Sequence, residues 1–299
     1  MTIIRQRFGR GNAVDPVVWR RGSVVDPVMS RPVGGPHIHT HPTLPTNLLF
    51  CYECDDNAAS SVVVDSTGSV NGTLKGDNGG ALVATNTDNE TIAGKIASAF
   101  WGTRLGVNAT RCVDFTAVEG GAPGTYYHIN KDFSWNMWIR WPSLVGGGGA
   151  NARANLEVVI GNWGGAGAYC QIGWYNVGAT WRQRWLTWDG TFRGVYTSTD
   201  VSTFDDVWWM LSATYDASAA AVNVEDGMKL YVNGSDVTVK MAVGGRPATG
   251  FQNNAWIYNH RPDANFPARF DMDQFCSWNK VLTSSECSDM WNGGAGMPY

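Results

Sequence analysis

Two stretches near the end of the chain decide the fold: Lys229-Leu230-Tyr231-Val232-Asn233-Gly234 and, about forty residues later, Phe270-Asp271-Met272-Asp273-Gln274-Phe275-Cys276-Ser277-Trp278. In both, apolar and polar residues alternate, which is typical of a β-strand. The first stretch runs into Asn-Gly, and both of these residues tolerate the positive φ angles of a type I′ turn. The two stretches therefore predict an antiparallel sheet. Downstream, Ser284 to Met290 predicts one or two helical turns that Gly293 and Gly294 end.

The composition independently indicates an all-β protein. The chain has 36 Gly and 15 Trp, only 16% of its residues are charged, and its apolar runs are short. These features fit a large β-sandwich, and such sandwiches run to roughly 200–250 residues as one unit. We therefore predict one main domain, residues 47–299, preceded by an arm, residues 1–46.

Several motifs, in the same order and spacing, resemble the concanavalin A-like jelly roll of the laminin G-like group. They begin with Leu48-Leu49-Phe50, Asp65 to Gly68 and Asn71 to Leu74, continue with Phe133 to Trp141, Trp208-Trp209 and Thr214-Tyr215-Asp216, and end with Leu230 to Gly234, Asp273, Asn279, Leu282-Thr283 and Trp291 to Gly294. The resemblance covers roughly residues 47 to 299. It implies a β-sandwich of two antiparallel sheets, with the arm extended in front of it, as in phage virion proteins of the fibre or capsid-decoration type.

The arm differs from the body in composition and charge. It contains half of the prolines of the chain, and six arginines against two aspartates give it a charge of +4 where the whole chain carries −4. Such a segment buries too little apolar surface to fold alone. Val14-Asp15-Pro16-Val17 recurs as Val25-Asp26-Pro27-Val28, which suggests two equivalent hooks on a neighbouring subunit. The predicted assembly residues are Arg5, Arg7, Arg10, Val14, Pro16, Trp19, Arg20, Arg21, Val25 and Pro27.

A histidine cluster near the end of the arm is a candidate metal site. In an extended segment, His37, His39 and His41 face one side, because side chains alternate with a period of two. Imidazoles from several copies on a symmetry axis would complete a coordination sphere for zinc or iron. The element is similar to the His-x-His elements of phage fibres and spikes, and the resemblance of the arm to fibre anchors favours a trimer. A solvated linker that tolerates histidine is the alternative.

Six cysteines, at positions 51, 54, 112, 170, 276 and 287, are expected to be free and mostly buried. A core of this size does not need disulfides. Cys51 and Cys54 have the spacing of half a zinc site, but no second pair follows, and residues three apart in a strand point to opposite faces.

Motifs of catalysis are missing from the sequence. Glycosidases of the concanavalin A-like fold carry Glu-x-Asp-x-x-Glu, whose carboxyl groups act as a pair. The nearest match, Glu53 to Ala58, lacks the final acid. Neither His128 nor His260 stands in a nucleophile motif, and the glycine run Gly146 to Gly149 lacks the context of a phosphate-binding loop. We therefore expect a protein without enzymatic activity.

Aromatic residues between Gly161 and Tyr196 indicate a possible sugar site. In the alternating run Trp181 to Trp185, the two tryptophans share one face with Gln183, and two arginines share the other. Indole rings cover the apolar faces of sugars, and amides or carboxylates fix the hydroxyls. The candidate residues are Trp181, Gln183, Trp185, Trp188 and Asp189. The alternative is that most of these rings fill the space between the sheets.

The family resemblance also implies calcium, because some laminin G-like and lectin members use it. Asp271 and Asp273 are expected on one face of their strand, where they would serve as ligands. Ordinary surface acids explain the pair equally well.

Two functions follow from these expectations. The first is a virion structural protein, of capsid-decoration or tail-fibre type, that presents a lectin-like head to host glycans and contacts other virion subunits through its arm. It would be a homo-oligomer made in the host cytoplasm, without a signal peptide, nucleic-acid partner or membrane insertion. The alternative is a free carbohydrate-binding or glycan-processing protein of a cell.

Overall fold

The computed structural model describes residues 46–68, 70–77, 82–87, 91–96, 98–100, 111–115, 127–141, 158–163, 169–177, 180–188, 190–242, 244–246, 255–257 and 270–296. These residues belong to one compact unit, Gly35–Tyr299. The predicted arm lies outside the described residues, so its extended form and its boundary at residue 46 stay predictions. Among the described residues, no helix is long and apolar enough to cross a membrane.

The described part of the chain is built almost entirely of strands. In chain order they are β1 (Leu48–Tyr52), β2 (Val62–Val63), β3 (Gly72–Asp77), β4 (Leu82–Ala84), β5 (Thr91–Ala93), β6 (Ser98–Phe100), β7 (Arg111–Asp114), β8 (Phe133–Arg140), β9 (Val158–Trp163), β10 (Tyr169–Val177), β11 (Thr180–Trp188), β12 (Phe192–Thr197), β13 (Trp209–Tyr215), β14 (Met228–Val232), β15 (Ser235–Asp236), β16 (Thr238–Lys240), β17 (Ala255–Ile257) and β18 (Asp271–Trp278). Two helices are α1 (Val224–Gly227) and α2 (Ser284–Trp291), and three short 3-10 turns are Val201–Phe204, Ala219–Ala221 and Asn292–Gly294.

The strands form two sheets. The eight-stranded sheet has the order β15-β14-β13-β8-β18-β6-β5, with β1 also paired to β18. The ten-stranded sheet has the order β16-β12-β11-β10-β9-β17-β7-β3-β2, with β4 also paired to β3. Neighbours in space are often distant in sequence, as in β8 between β13 and β18, and the described strand pairs are antiparallel. The predicted all-β sandwich of two antiparallel sheets is confirmed.

The main core lies between the sheets. Strands β8, β13 and β14 send alternate residues into it, among them Trp135, Ile139, Leu211 and Leu230, because successive side chains of a strand point to opposite faces. Trp185 of β11 faces them from the other sheet. The predicted core strand from Phe133 is therefore confirmed, and it is buried along nearly its whole length.

A second apolar cluster covers the other face of the eight-stranded sheet. It takes the intervening residues of the same strands, such as Trp138, Met210 and Tyr231, and packs them against Cys287 and Met290 of α2. The helix forms where the sequence predicts it. Thr283 and Glu286 make a capping box at its start, and Asn292 ends it in the left-handed conformation.

The predicted Asn-Gly hairpin is confirmed. Asn233 and Gly234 connect β14 to β15 with φ angles of 51° and 76°, which are those of a type I′ turn. Val232 pairs with Ser235, so only two residues form the loop. A side chain at residue 234 would also collide with α2, because its Cβ would lie 2.8 Å from the Cα of Ser288.

A β-bulge interrupts β18. Gln274 adopts a φ of 49°, and the pairing with β8 shifts between Asp273 and Phe275. As a result Met272 and Phe275 both enter the main core although they are three residues apart. Asp271 and Asp273 share the opposite face upstream of the bulge.

The cysteines differ from expectation. Cys51 of β1 and Cys276 of β18 are cross-strand partners and form a disulfide, so the prediction of free thiols is wrong for this pair. The sequence does not reveal the pairing because 225 residues separate the two cysteines. Cys54 and Cys287 are free and buried, as predicted.

Candidate functional site

The predicted sugar platform on β11 faces the interior of the sandwich. Trp185 and Gln183 are both 0% exposed, and Trp185 packs on Phe133 and Trp135 at ring-centroid distances of 5.9 Å. Trp181 is partly buried against the same core. The alternation in this run is as predicted, but its tryptophan face is the core face. Trp185 and Gln183 are therefore not available to a ligand at the surface.

The two arginines of the run lie on the opposite face. Arg182 stands over the ring of Tyr196 at 5.6 Å, and Arg184 stands over the ring of Phe192 at 5.7 Å. Trp188 is the last residue of β11, but the structure does not describe its side chain. Asp189 lies outside the described residues. Their proposed roles stay predictions.

Asp271 and Asp273 have structural partners. Asp271 is 1% exposed and accepts two hydrogen bonds from the Arg140 guanidinium, at 2.9 and 2.7 Å. Asp273, equally buried, accepts from the backbone N–H groups of Lys95 and Ile96 at 2.6 and 2.7 Å. In the described part of the chain, no group of three or more His, Cys, Asp or Glu side chains could hold a metal ion. Asp271 thus belongs to an ion pair and Asp273 anchors a turn, and their role as calcium ligands stays a prediction.

The remaining predicted sites lie outside the described residues. These are the histidine cluster His37, His39 and His41, and the assembly residues Arg5, Arg7, Arg10, Val14, Pro16, Trp19, Arg20, Arg21, Val25 and Pro27.

An open polar cleft of about 390 Å³ lies at one end of the sandwich. We call it the loop groove, and it is lined by Asn130, Asp132, Ala217, Ser218 and Arg246. Sheet pairing brings its walls together. Tyr215, the last residue of β13, pairs with Phe133, the first residue of β8, so the segment that enters β8 meets the segment that leaves β13.

One wall of the loop groove is the turn that follows β13. The Asp216 carboxylate accepts hydrogen bonds from the N–H groups of Ser218 and Ala219, both at 2.9 Å, and from the Ser218 hydroxyl at 2.6 Å. These bonds, the side-chain bond from Ser218 first, lower the pKa of Asp216. The turn directs the Ala217 N–H at Asp132, whose Oδ1 accepts it at 2.9 Å. The Asp132 carboxylate is thus fixed at one oxygen.

The other wall carries Arg246. Its Nη2 donates to the Ile129 carbonyl and to Asn130 Oδ1, both at 2.6 Å. The same Ile129 carbonyl accepts from the hydroxyl of Tyr215, a fully buried residue, at 2.9 Å. The backbone before Arg246 is held by Asn223, whose Oδ1 accepts from the Gly245 N–H at 2.9 Å. The guanidinium is therefore held by the rigid core while it lines an open cleft.

Sequence reasoning did not single out the residues of the loop groove. Thr214-Tyr215-Asp216 served only as a motif of the fold. The one local indication of the groove is that this motif continues as Asp-Ala-Ser, which is typical of a turn capped by a side chain. Arg246 lies more than a hundred residues from Ile129, so only the folded chain brings it to the site.

A family model described as the concanavalin A-like lectin/glucanases superfamily, of laminin G type, matches residues 117–288. No curated protein sequence matches the chain.

Similar solved structures share the fold at low sequence identity. Domain 4 of AbnA, a GH43 extracellular arabinanase from Geobacillus stearothermophilus solved with arabinotriose, is 17% identical with a TM-score of 0.50, and the match covers 81% of this chain and 97% of that one. The binding domain of botulinum neurotoxin DC, solved with rat synaptotagmin II, is 15% identical with a TM-score of 0.52, and the match covers 83% of this chain and 51% of that one. The chain thus spans about half the length of the toxin domain.

The family match covers more than half of the chain, and the two-sheet architecture agrees with it. This protein belongs to the laminin G-like branch of the concanavalin A-like lectin/glucanase superfamily.

Proposed function

We propose that this protein is a lectin-like binding module without catalytic activity, and that it binds a carbohydrate in the loop groove. One observation carries the proposal: the groove presents a guanidinium, a carboxylate, an amide and a hydroxyl, each fixed by a bond to the scaffold. Recognition of a polar ligand is strongest when such groups are held in place before the ligand arrives. The laminin G-like membership supports a binding role.

The groups in the groove favour binding over glycoside hydrolysis. Hydrolysis requires two carboxyl groups on either side of the scissile bond, at about 5–9 Å from each other. Among the described residues that line the groove, only Asp132 carries a carboxylate. The Glu-x-Asp-x-x-Glu motif of the related glycosidases is also absent from the sequence.

Glycan binding is tested by titrating the full chain with a panel of methyl glycosides and short oligosaccharides, arabinotriose included. Arg246→Gln and Asp132→Asn should each lower affinity by at least about tenfold, because each removes a charged hydrogen-bonding partner. Arg182→Gln is the matched control, since Arg182 also donates to two oxygens but lies on the outer face of β11. Unchanged affinity in both groove variants would exclude the loop groove as the site.

We further propose that the head serves on a virion, anchored through residues 1–46 to other virion subunits as a homo-oligomer. The support comes from the sequence: the arm has a charge of +4, its Val-Asp-Pro-Val element is repeated, and its composition differs from that of the sandwich. Removal of residues 1–46 should leave a folded head that no longer joins the particle or the oligomer. If mass spectrometry did not detect this chain in purified particles, the result would favour the alternative, a free carbohydrate-binding protein of a cell.

A further inference from the structure

One nitrogen of the Arg246 guanidinium, Nη2, already donates to two protein oxygens. Both pairs of N–H groups through which the guanidinium could bind a carboxylate include this nitrogen. A guanidinium binds a carboxylate through two parallel N–H groups, and each such fork includes Nη2. In this structure Nη2 donates to Ile129 and to Asn130, one bond for each of its two hydrogens. Nε, with one hydrogen, and Nη1, with two, remain as donors that cannot form such a fork with each other.

Each of the other polar side chains of the groove also has one group bonded to the protein and another left for a ligand. Asp132 Oδ1 is taken by the Ala217 N–H, which leaves Oδ2 as the acceptor. Asn130 Oδ1 is taken by Arg246, which leaves its NH₂ group as a donor. Ser218 donates its hydroxyl hydrogen to Asp216, so its oxygen is left to accept.

This arrangement of donors and acceptors matches hydroxyl groups better than anions. A hydroxyl both donates and accepts, so two neighbouring hydroxyls of a sugar can accept from Arg246 and donate to Asp132 at the same time. A ligand carboxylate only accepts. It would find no free fork on Arg246, and it would approach the negative charges of Asp132 and Asp216.

We infer that the loop groove selects an uncharged sugar residue through a pair of neighbouring hydroxyls and discriminates against acidic sugars. The inference rests on the proposed function, since it names the class of glycan that the same groove binds. It assigns Asn130 a role in specificity, because its Oδ1 occupies Nη2 and thereby closes the fork to carboxylates.

The test compares matched pairs of methyl glycosides by calorimetric titration: glucoside against glucuronide and galactoside against galacturonide. The wild type should bind the neutral member of the preferred pair at least about tenfold more tightly, which corresponds to about 1.4 kcal/mol. Asn130→Ala frees one Nη2 hydrogen and restores a fork, so it should reduce this preference several-fold by strengthening uronide binding. Arg182→Gln should leave the preference unchanged.

The outcomes separate this inference from the proposed function. Equal or tighter uronide binding that is lost in Arg246→Gln would overturn the neutral-sugar inference and leave the groove as the binding site. An unchanged preference in Asn130→Ala would overturn the role of Asn130 in specificity. If no glycoside in the panel binds the wild type, or if binding is insensitive to Arg246→Gln, the proposed site fails and the inference fails with it.

Discussion

Arg246 and Tyr215 donate to the same oxygen, the backbone carbonyl of Ile129, from opposite sides of the boundary between groove and core. Tyr215 is fully buried and stacks on Phe133 at 5.2 Å, whereas Arg246 lines the open cleft. The carbonyl therefore links a ligand-facing side chain to the packed interior. A surface arginine gains precision from this link, because its acceptor cannot move independently of the core.

Tyr215→Phe tests this link. The substitution keeps the ring and its packing but removes the hydroxyl, so we expect a loss of about 1 kcal/mol in the free energy of unfolding. Because Ile129 becomes less firmly held, glycoside affinity should also fall, but by less than in Arg246→Gln. Urea denaturation and calorimetric titration measure the two effects. Unchanged affinity together with the expected loss of stability would show that the hydroxyl serves the core alone.

Trp185→Ala distinguishes a core residue from a ligand platform. Removal of a fully buried indole between the sheets should lower the free energy of unfolding by about 3–5 kcal/mol. Trp181→Ala, at the partly buried position two residues earlier, should cost less. Glycoside affinity, measured well below the melting temperature, should stay at the wild-type value in both variants. A Trp185→Ala protein of normal stability that lost sugar binding would contradict the core assignment.

Sequence patterns predicted the elements whose cause is local. The Asn233-Gly234 turn needs only two residues that accept positive φ, and the capping of α2 needs only Thr283 and Glu286. The alternation of side chains likewise predicted that Trp185 and Arg184 lie on opposite faces of β11. It did not say which of the two faces meets the other sheet, because a period of two defines two faces without ranking them.

The loop groove was not predictable in this way because its geometry depends on non-local pairing. Asp132 meets Ala217 across 85 residues, and Arg246 meets Ile129 across 117. The bulge at Gln274 also had no local signature, yet it sets which residues of β18 enter the core. The polar residues of the groove look like ordinary loop residues until the sheet order is known.

Asp65→Ala should be among the most destabilising changes in the opening turn. The buried Asp65 carboxylate accepts hydrogen bonds from the N–H groups of Cys51, Thr67 and Val70 and from the Thr67 hydroxyl, at 2.7 to 3.0 Å. Removal of the carboxylate leaves these donors unsatisfied, so we expect the free energy of unfolding to fall by about 3–5 kcal/mol. Thr67→Val, which removes the hydroxyl bond to Asp65 but keeps the carboxylate, should cost about 1 kcal/mol of unfolding free energy. Similar losses in the two variants would mean that the carboxylate does not organise the turn.

Cys54 and Cys287 should resist alkylation in the folded protein. Burial raises the pKa of Cys287 to about 12 and the pKa of Cys54 well above its ordinary value, so both thiols stay protonated near neutral pH. Peptide mapping after iodoacetamide treatment at pH 8 should find both unmodified until denaturant is added. Without reduction, peptides containing Cys51 and Cys276 should be recovered as one linked pair. Rapid native labelling of Cys54 or Cys287 would contradict their burial.

Asp56 should make stability depend on pH between about 4 and 6. Its carboxylate accepts from the Val64 N–H at 3.0 Å, and burial raises its pKa to about 6 from an ordinary value near 4. The folded state therefore holds the proton more tightly than the unfolded state. The resulting stabilisation is fully present below about pH 4 and is lost as the pH rises through about 6.

Asp56→Asn keeps an oxygen acceptor for Val64 but cannot ionise. Relative to this variant, the wild type should lose about 1 kcal/mol of unfolding free energy between pH 4 and pH 7, a magnitude that allows for the partial solvent exposure of the group. Denaturant melts at half-unit pH intervals measure the difference. Parallel stability profiles for the wild type and Asp56→Asn would mean that Asp56 titrates at the same pH in the folded and unfolded chains, which would contradict the raised pKa.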